Sequence, residues 1–320
     1  MGRLYTTDGL VIRTYPRGES DRLVQILTPD RGRLSVIVRH GQSGRDRLSA
    51  VSQPFTWGNF ELSESHGALW LRSGSVLSSF YSLSCDLTHM ALASYLCDLS
   101  GDVVGVAGAS PAASEGEGEQ DEMAVFGGRM LRMLLNSLYM LEQRTKPAAL
   151  IKGVFEMRTA ALSGFCPSLE CCALCGKETP AGAYLDVMNG RLLCDACKAR
   201  LNRGGIGAAS EEALGERSIL IPLTEPVLAA MRFALAAPDR KIFSFSLETA
   251  QAEAFSSATE VYLLNHLEHG FETLNFYRSV ASSAERAVTK DRRSRPCFGI
   301  GADSRRGLSQ PGDNFLLYAR

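Results

Sequence analysis

Hydrophobic and polar positions alternate in short blocks along the first eighty residues. Residues 32–39 are the clearest case, because Leu34, Val36 and Val38 fall on one side, and the other side carries Arg33, Ser35, Ile37 and Arg39. This is the period of a half-buried strand. Apolar runs predict further strands at 9–15, 21–28, 55–62 and 68–72, whereas residues 40–53 are polar and predict a loop. Five short strands with turns between them predict a small barrel or sandwich.

The hydrophobic period changes near residue 86. Apolar residues then recur every three to four positions, which is typical of amphipathic helices. This pattern predicts helices at 87–99, 126–141, 147–164, 226–235 and 247–270. Residues 111–121 form an acidic low-complexity stretch, which we expect to be a solvated, mobile linker. Between Arg286 and Arg306 there are seven basic and two acidic residues, and this region predicts a disordered basic tail.

Composition and charge limit the class of protein. The 320 residues are 45% hydrophobic and carry a net charge of −1, which is ordinary for a globular chain and argues against an indiscriminate polybasic binder. No run of about 18 apolar residues predicts a membrane span. The polar N-terminus lacks the apolar stretch of a signal peptide, so we expect a cytoplasmic protein.

The cysteines carry the strongest chemical signal. Six of the nine lie between residues 166 and 197, and they include Cys172-x-x-Cys175 and Cys194-x-x-Cys197. This spacing is typical of a structural Zn²⁺ site, and four thiolates would leave no coordination position open for a substrate. Cys171 could replace Cys172 as a ligand. Unliganded or redox-active thiols are the alternative interpretation of the whole cluster.

The turn between the two cysteine pairs supports the zinc interpretation. Asn189-Gly190 separates two short apolar runs, at 184–187 and 191–193, and this dipeptide favours a tight reversing turn. The second cysteine pair would therefore return to the first by way of a hairpin.

The second chemical feature of the sequence is a concentration of arginines near the N-terminus. Residues 13–47 contain eight arginines and four acidic residues, and the alternation of the strand places Arg33 and Arg39 on one face. A guanidinium group suits phosphate recognition because its planar fork donates two hydrogen bonds. The candidate DNA-binding residues are Arg13, Arg31, Arg33, Arg39, Arg45 and Arg47. The alternative is a solvated strand face. Trp57 and Trp70 could stack on bases, but we favour core positions for both.

Two segments resemble the bacterial DNA-repair protein RecO family. The first is Gly9–Arg13 followed by Gly18-Glu19-Ser20-Asp21-Arg22. The second is Pro167-x-Leu169-x-x-Cys172-x-x-Cys175-Gly176. The similarity extends from about residue 5 to about residue 275. The acidic stretch 111–121, the diluted basic loop 40–47 and the tail 282–320 depart from the family pattern.

The resemblance implies an α+β multidomain chain. It implies a five-stranded OB-fold barrel that binds DNA (1–82), a helical domain (83–165 and 201–281) and an inserted four-cysteine zinc module (166–200), with the basic tail (282–320) beyond them. It also implies binding of single- and double-stranded DNA, annealing of complementary strands, and RecA loading with RecR where single-stranded-DNA-binding protein coats the DNA. The expected location is the cytoplasm, in association with the nucleoid.

We therefore expect a recombination mediator that is not an enzyme. The sequence contains no Walker phosphate loop, no Gly-x-Gly-x-x-Gly after a strand and no Gly-x-Ser-x-Gly motif. A zinc hydrolase or deaminase would need an open metal position, which four cysteine ligands deny. The alternative is a zinc-stabilised scaffold that binds protein partners without direct DNA binding.

Overall fold

The computed structural model of the chain describes residues 4–41, 47–105, 117–178, 180, 182–202 and 219–294. For residues 47, 117–123, 202 and 284–294 it describes the backbone alone. Residues 106–116, which include the first part of the predicted linker, and the tail residues 295–320 lie outside these ranges. Arg45 also lies outside them.

The N-terminal strands close into a barrel. They are β1 (Leu4–Arg17), β2 (Asp21–Thr28), β3 (Gly32–Val38), β4 (Thr56–Ser65) and β5 (Ala68–Ser79). Their order is β1-β2-β3-β5-β4, and β4 pairs back onto β1. The β3–β5 pair is parallel and the other pairs are antiparallel. The predicted five-stranded OB-fold barrel is confirmed.

The predicted loop at 40–53 contains a short helix, α1 (Arg47–Val51). Five residues are too few to produce a helical period in the sequence. Val51 is buried, and its methyl groups lie 3.2 Å from where side chains would begin on Gly58 and Gly74. The helix therefore closes the barrel at a place where β4 and β5 have no side chains of their own.

Both faces of the first strands are buried, for different reasons. Val11 and Ile26 point into the barrel with Val36. Leu10 and Leu27 lie on the outer face and belong to the core of the helical domain. This second contact explains why β1 and β2 have apolar runs where strict alternation would place polar residues.

The helical domain is built from α2 (Leu87–Val104), α3 (Glu117–Gln143), α4 (Ala148–Leu162), α6 (Glu225–Ala236), α7 (Thr249–Leu267) and α8 (Glu272–Ser294). The expectation of a linker through residue 121 is wrong for residues 117–121, which form the start of α3. Acidic residues are favourable there because they lie at the positive end of the helix dipole. The expectation of a disordered tail is wrong for residues 282–294, which continue α8. Ala284 and Val288 extend the apolar period of Leu274 and Tyr277.

A small sheet and a short helix are inserted between α4 and α6. The strands are β6 (Ser168–Cys172), β7 (Ala183–Asp186), β8 (Arg191–Cys194) and β9 (Leu220–Leu223), and α5 is Asp195–Asn202. The sheet order is β6-β8-β7-β9, and the predicted hairpin is the β7–β8 pair. β6 and β9 were not predicted, because no turn dipeptide marks them as Asn189-Gly190 marks the β7–β8 hairpin.

Helix α2 packs directly on the barrel. A Cβ atom on Gly101 would lie 2.8 Å from Cδ1 of Ile12 and 3.4 Å from Cδ of Arg33, so glycine permits the close approach. Beside this contact, Nη1 of Arg13 donates to Asp98 Oδ1 at 2.7 Å. The other carboxylate oxygen of Asp98 accepts from Thr273 at 2.9 Å. One aspartate thus joins the barrel, α2 and α8.

The core of the helical domain contains a buried ionic cluster. Nζ of Lys152 lies 2.8 Å from carboxylate oxygens of both Glu156 and Glu260. Tyr95 and Thr259 donate hydrogen bonds to Glu156 at 2.8 and 2.9 Å. Burial raises the pKa of the Glu156 carboxyl, and the charge of Lys152 opposes that rise. The cluster links α2, α4 and α7.

Within the part of the chain that the structure describes, no helix is both long enough and apolar enough to cross a membrane.

The α4–α7 contact leads to a stability prediction. A Cβ atom on Gly153 would lie 2.6 Å from the buried ring of Phe255. We expect Gly153→Ala to lower the free energy of unfolding by about 1–3 kcal/mol, because overpacking outweighs the better helix propensity of alanine. Chemical denaturation measures the change. Gly270→Ala is the control, because nothing lies within 4 Å of a Cβ atom there. Equal stability of the two variants would contradict the packing argument.

Candidate nucleic-acid interface and metal centre

A groove opens on the barrel where β3 ends and β4 turns into β5. It encloses about 350 Å³ and is lined by Arg39, Ser65, His66, Ala68, Trp70 and Arg72. In OB-folds, the face of strands 2 and 3 and the loop between strands 4 and 5 bind oligonucleotides. The groove lies at this position of the fold.

The backbone explains why these residues meet. His66 and Gly67 both have positive φ, 51° and 71°, which forms a tight two-residue hairpin turn. Trp70 pairs with Ile37 across the parallel β3–β5 contact. Arg39 lies two residues beyond Ile37 on the same face, so its guanidinium carbon sits 4.7 Å from the centre of the Trp70 ring. This is a cation–π contact.

The groove is cationic. Arg72 is exposed, and its Nε donates to Ser63 Oγ at 2.7 Å, which fixes the side chain. Among the described residues, none bonds the two terminal nitrogens of this guanidinium. Arg39 is exposed as well. Among the described residues that line the groove, none is acidic. The arrangement suits an anionic, flexible ligand with groups that can pack on an aromatic ring.

The arginines that we expected, from the sequence, to form one DNA-binding surface do not lie together. Arg33 is half-buried against Gly101 of α2, so the expectation of an exposed Arg33–Arg39 face is wrong at the Arg33 end. Arg13 is paired with Asp98, and Arg31 lies 4.3 Å from the centre of the Tyr5 ring. The reason is that α2 covers one end of the outer face of β3. Arg45 and the side chain of Arg47 lie outside the described residues.

The two tryptophans have different surroundings. Trp57 packs against the core of the helical domain, as expected. Trp70 lies in the groove under Arg39, so the expectation of a core position is wrong for it. The sequence pattern could not show which tryptophan is in the core and which lies in the groove, because both faces of this barrel carry apolar residues.

The four cysteines chosen from the sequence form one cluster. The sulfur atoms of Cys172, Cys175, Cys194 and Cys197 all lie within 4.8 Å of one another. The Cys175 and Cys194 sulfurs are 3.7 Å apart. Cys171 is not part of the cluster, so the choice of Cys172 over Cys171 agrees with the structure. The group could hold a metal ion.

Two tight turns aim the sulfurs at one point. The first follows β6, where Gly176 has a φ of 70° and donates its N–H to the carbonyl of Cys172 at 2.8 Å. The second joins β8 to α5, where the N–H of Cys197 points at the Cys194 sulfur at 3.4 Å. The N–H of Cys194 points at the Cys172 sulfur at 3.3 Å and connects the two turns.

The thiols of the cluster differ in acidity. Burial opposes ionisation of Cys172, but the N–H groups of Leu174, Cys194 and Cys175 outweigh it and lower its pKa to about 6. Burial and the neighbouring sulfurs raise the pKa of Cys197 to about 12. The cluster without a metal would therefore hold protons that a cation must displace.

Arg232 of α6 fastens the inserted small sheet to the helical domain. Its Nε donates to the carbonyl of Leu169 at 2.7 Å, and one terminal nitrogen donates to the carbonyls of Glu170 and Glu178 at 2.8 Å each. These carbonyls flank the first cysteine pair. Sequence reasoning missed this residue, since nothing in the chain marks an arginine that bonds backbone more than fifty residues away.

Known proteins are similar to this chain over most of its length. Residues 1–80 match the family model for the recombination protein O N terminal, and residues 128–275 match that for the recombination protein O C terminal. The DNA repair protein RecO of Acetivibrio thermocellus is 23% identical over 274 residues, which cover 86% of this chain and 96% of that protein.

Two further DNA repair proteins RecO are similar. That of Caldicellulosiruptor bescii is 26% identical over 278 residues, 87% of this chain and 99% of its own length. That of Anaeromyxobacter dehalogenans strain 2CP-C is 31% identical over 226 residues, 64% of this chain and 82% of its own length.

The cluster geometry predicts which cysteine substitutions release metal. We expect Cys172→Ser to lower the bound metal to less than about half an equivalent, because three sulfur ligands do not close the site. Cys171→Ser is the matched control, and it should keep about one equivalent per chain. Elemental analysis of the purified variants measures both. Loss of metal in the Cys171→Ser variant alone would reverse the assignment.

Proposed function

The chain belongs to the recombination protein O family of DNA repair proteins, and from this premise we propose that it acts as a recombination mediator without enzymatic activity. It binds single- and double-stranded DNA, anneals complementary strands, and assists RecA loading together with RecR. The DNA contact is the barrel groove that Arg39, Trp70 and Arg72 line.

The observation that carries the DNA-binding proposal is the stacking of Arg39 on Trp70. The Trp70 ring holds the guanidinium at 4.7 Å, and no carboxylate of the described residues pairs with it, so its charge is available to a phosphate. Arg72 supplies a second charge in the same groove. Arg13, by contrast, forms an ion pair with Asp98. We therefore assign the contact to the groove and not to the arginines near α2.

Phosphate contacts of this kind fit strand annealing. Arginines that neutralise phosphates release counterions and so supply affinity without reading the sequence. A strand held by its backbone keeps its bases free to pair with a complementary strand. His66 and Ser65, at the turn between β4 and β5, add polar groups that a sugar or phosphate oxygen can contact.

We assign the metal ion as Zn²⁺. Four sulfur ligands in a tetrahedron are typical of structural zinc, and Zn–S bonds of about 2.3 Å give sulfur–sulfur distances of about 3.8 Å. The 3.7 Å between the sulfurs of Cys175 and Cys194 agrees with that edge. The ion stabilises a module of short strands that has little core of its own. It leaves no open position for catalysis.

The family also suggests where and with which partners the chain works. We propose that it acts in the cytoplasm at the nucleoid, on DNA coated by single-stranded-DNA-binding protein, with RecR as the direct partner and RecA as the indirect one. A zinc-stabilised scaffold that binds protein partners alone remains the competing function. A DNA titration distinguishes the two functions, because a scaffold that binds only proteins would show no DNA affinity that depends on the charge of Arg39.

The groove predicts a specific loss of DNA affinity. Replacing both Arg39 and Arg72 with alanine removes two phosphate contacts. The salt slope for single-stranded DNA should fall by about 1.4, at about 0.7 for each contact. Titrations of a labelled oligonucleotide at several salt concentrations measure the slope. Sequence preference should not change, because no base edge is read.

A matched double variant controls for loss of charge. Arg240→Ala with Lys241→Ala removes two exposed cations at another place on the surface, and its slope should equal that of the wild type. An unchanged slope in the groove variant would refute the assignment of the groove.

Annealing should need no nucleotide. The chain has no phosphate-binding loop, so ATP should change neither the rate nor the extent of annealing between two complementary oligonucleotides. A fluorescence-quenching assay with the purified protein alone tests this expectation. Faster annealing with ATP than with a non-hydrolysable analogue would reveal a catalytic site.

A further inference from the structure

A row of residues crosses the outer face of the barrel from the groove to β1. Trp70 of β5 pairs with Ser63 of β4, and Ser63 pairs with Leu4 of β1. Directly paired residues lie on the same face of a sheet, so Leu4 shares the face of the groove. The adjacent row points inward, because Leu62 and Leu71 belong to the barrel core. At about 4.8 Å between neighbouring strands, Leu4 lies about 10 Å from Trp70.

The two cations of the groove define a line along this row. The guanidinium of Arg39 lies over the ring of Trp70, on β5. Arg72 is the extra residue of a β-bulge opposite β4, and its Nε donates to Ser63 Oγ, so its guanidinium lies beside β4. Successive phosphates that contact these two groups would therefore cross the barrel strands and not follow them.

Leu4 lies at the end of this line. Its side chain is 61% exposed, and among the described residues its row contains no acidic group. A nucleotide that follows the phosphate at Arg72 along the row reaches this side chain. An apolar side chain can pack on the face of a base or on a sugar, because both offer apolar surface.

The next rows toward the helical domain carry negative charge. Glu61 lies two residues before Ser63 on β4 and accepts a hydrogen bond from Ser73 at 2.5 Å. Asp8, in the row after that, accepts from Asn59 at 2.8 Å. Both donors are neutral, and no cation of the described residues forms an ion pair with either carboxylate. A phosphate on these rows would therefore meet a charge of the same sign.

Beyond the acidic rows the sheet is covered. Leu10 pairs with Trp57, and both pack in the core of the helical domain. A nucleic-acid strand that followed β4 or β5 away from the groove would meet first the carboxylates and then the helices. A strand that crosses from β5 over β4 to β1 avoids both obstacles.

We propose that the nucleic-acid strand in the groove crosses the barrel over β5 and β4 to β1, where Leu4 contacts a base or a sugar. Glu61 and Asp8 form a border that keeps the phosphates on this path. The proposal rests on the proposed function, to which it adds the direction of the bound strand and one further contact residue.

Photo-crosslinking from single positions of the full chain tests the path. p-Benzoylphenylalanine replaces Leu4, Ser75 or His66 in three separate variants, and each is irradiated with a labelled single-stranded oligonucleotide of mixed sequence. His66 lines the groove, so position 66 reports that the groove is occupied. Ser75 is exposed on the row of Asp8. We expect position 4 to crosslink as position 66 does, and position 75 to give background only.

Charge variants test the same path without a bulky probe. Leu4→Glu should weaken single-stranded DNA binding about fivefold, the factor for one like-charge contact at about 4 Å in water. Leu4→Gln should weaken it less, because it removes the apolar contact without adding charge. Val125→Glu is the matched control, because Val125 is 63% exposed on α3, away from this row, and its affinity should equal that of the wild type. Asp8→Asn with Glu61→Gln removes the border and should allow a crosslink from position 75.

The outcomes separate this proposal from the proposed function. If position 66 crosslinks and position 75 does so as strongly as position 4, the groove binds DNA but the proposed path is wrong. If Leu4→Glu binds as tightly as Val125→Glu, Leu4 is not a contact and the path is again refuted. If the wild type binds no oligonucleotide and position 66 gives no crosslink, the proposed function fails together with the path.

Discussion

The close approach of α2 to the barrel decides the arrangement of the rest of the molecule. Glycine at position 101 lets the helix backbone reach Ile12 and Arg33, where any side chain would force the two apart. Asp98, one turn earlier, pairs with Arg13 of β1 and accepts a hydrogen bond from Thr273 of α8. Because packed interiors tolerate little change in volume, this contact fixes the barrel and α8 relative to the same helix.

This contact also determines which positive charges face solvent. It half-buries Arg33 and pairs Arg13 with Asp98, whereas Arg39 and Arg72 in the groove stay exposed. An arginine on a strand is therefore not a DNA contact by its chemistry alone. Whether its charge is available to DNA depends on what packs beside it. Here a helix more than sixty residues away in the sequence covers one arginine and pairs with another.

Polar side chains fix specific contacts both within the helical domain and at the inserted small sheet. Lys152 is buried between Glu156 and Glu260, and removal of Lys152 would leave the buried Glu156 carboxylate without a paired cation. At the inserted sheet, Arg232 donates hydrogen bonds to three backbone carbonyl groups beside the first cysteine pair. Such groups specify one arrangement because their hydrogen bonds are satisfied in that arrangement.

The sequence by itself determined the barrel strands, the hairpin at Asn189-Gly190 and the four cysteines that cluster. Each depends on local spacing: a period of two, a turn dipeptide and two Cys-x-x-Cys pairs. Only the tertiary structure decided that Trp70 lies in a groove while Trp57 joins the core, and that Arg33 is covered while Arg39 is exposed. The physical reason is that strand alternation assigns a residue to one of two faces, whereas burial of that face depends on contacts between segments far apart in the chain.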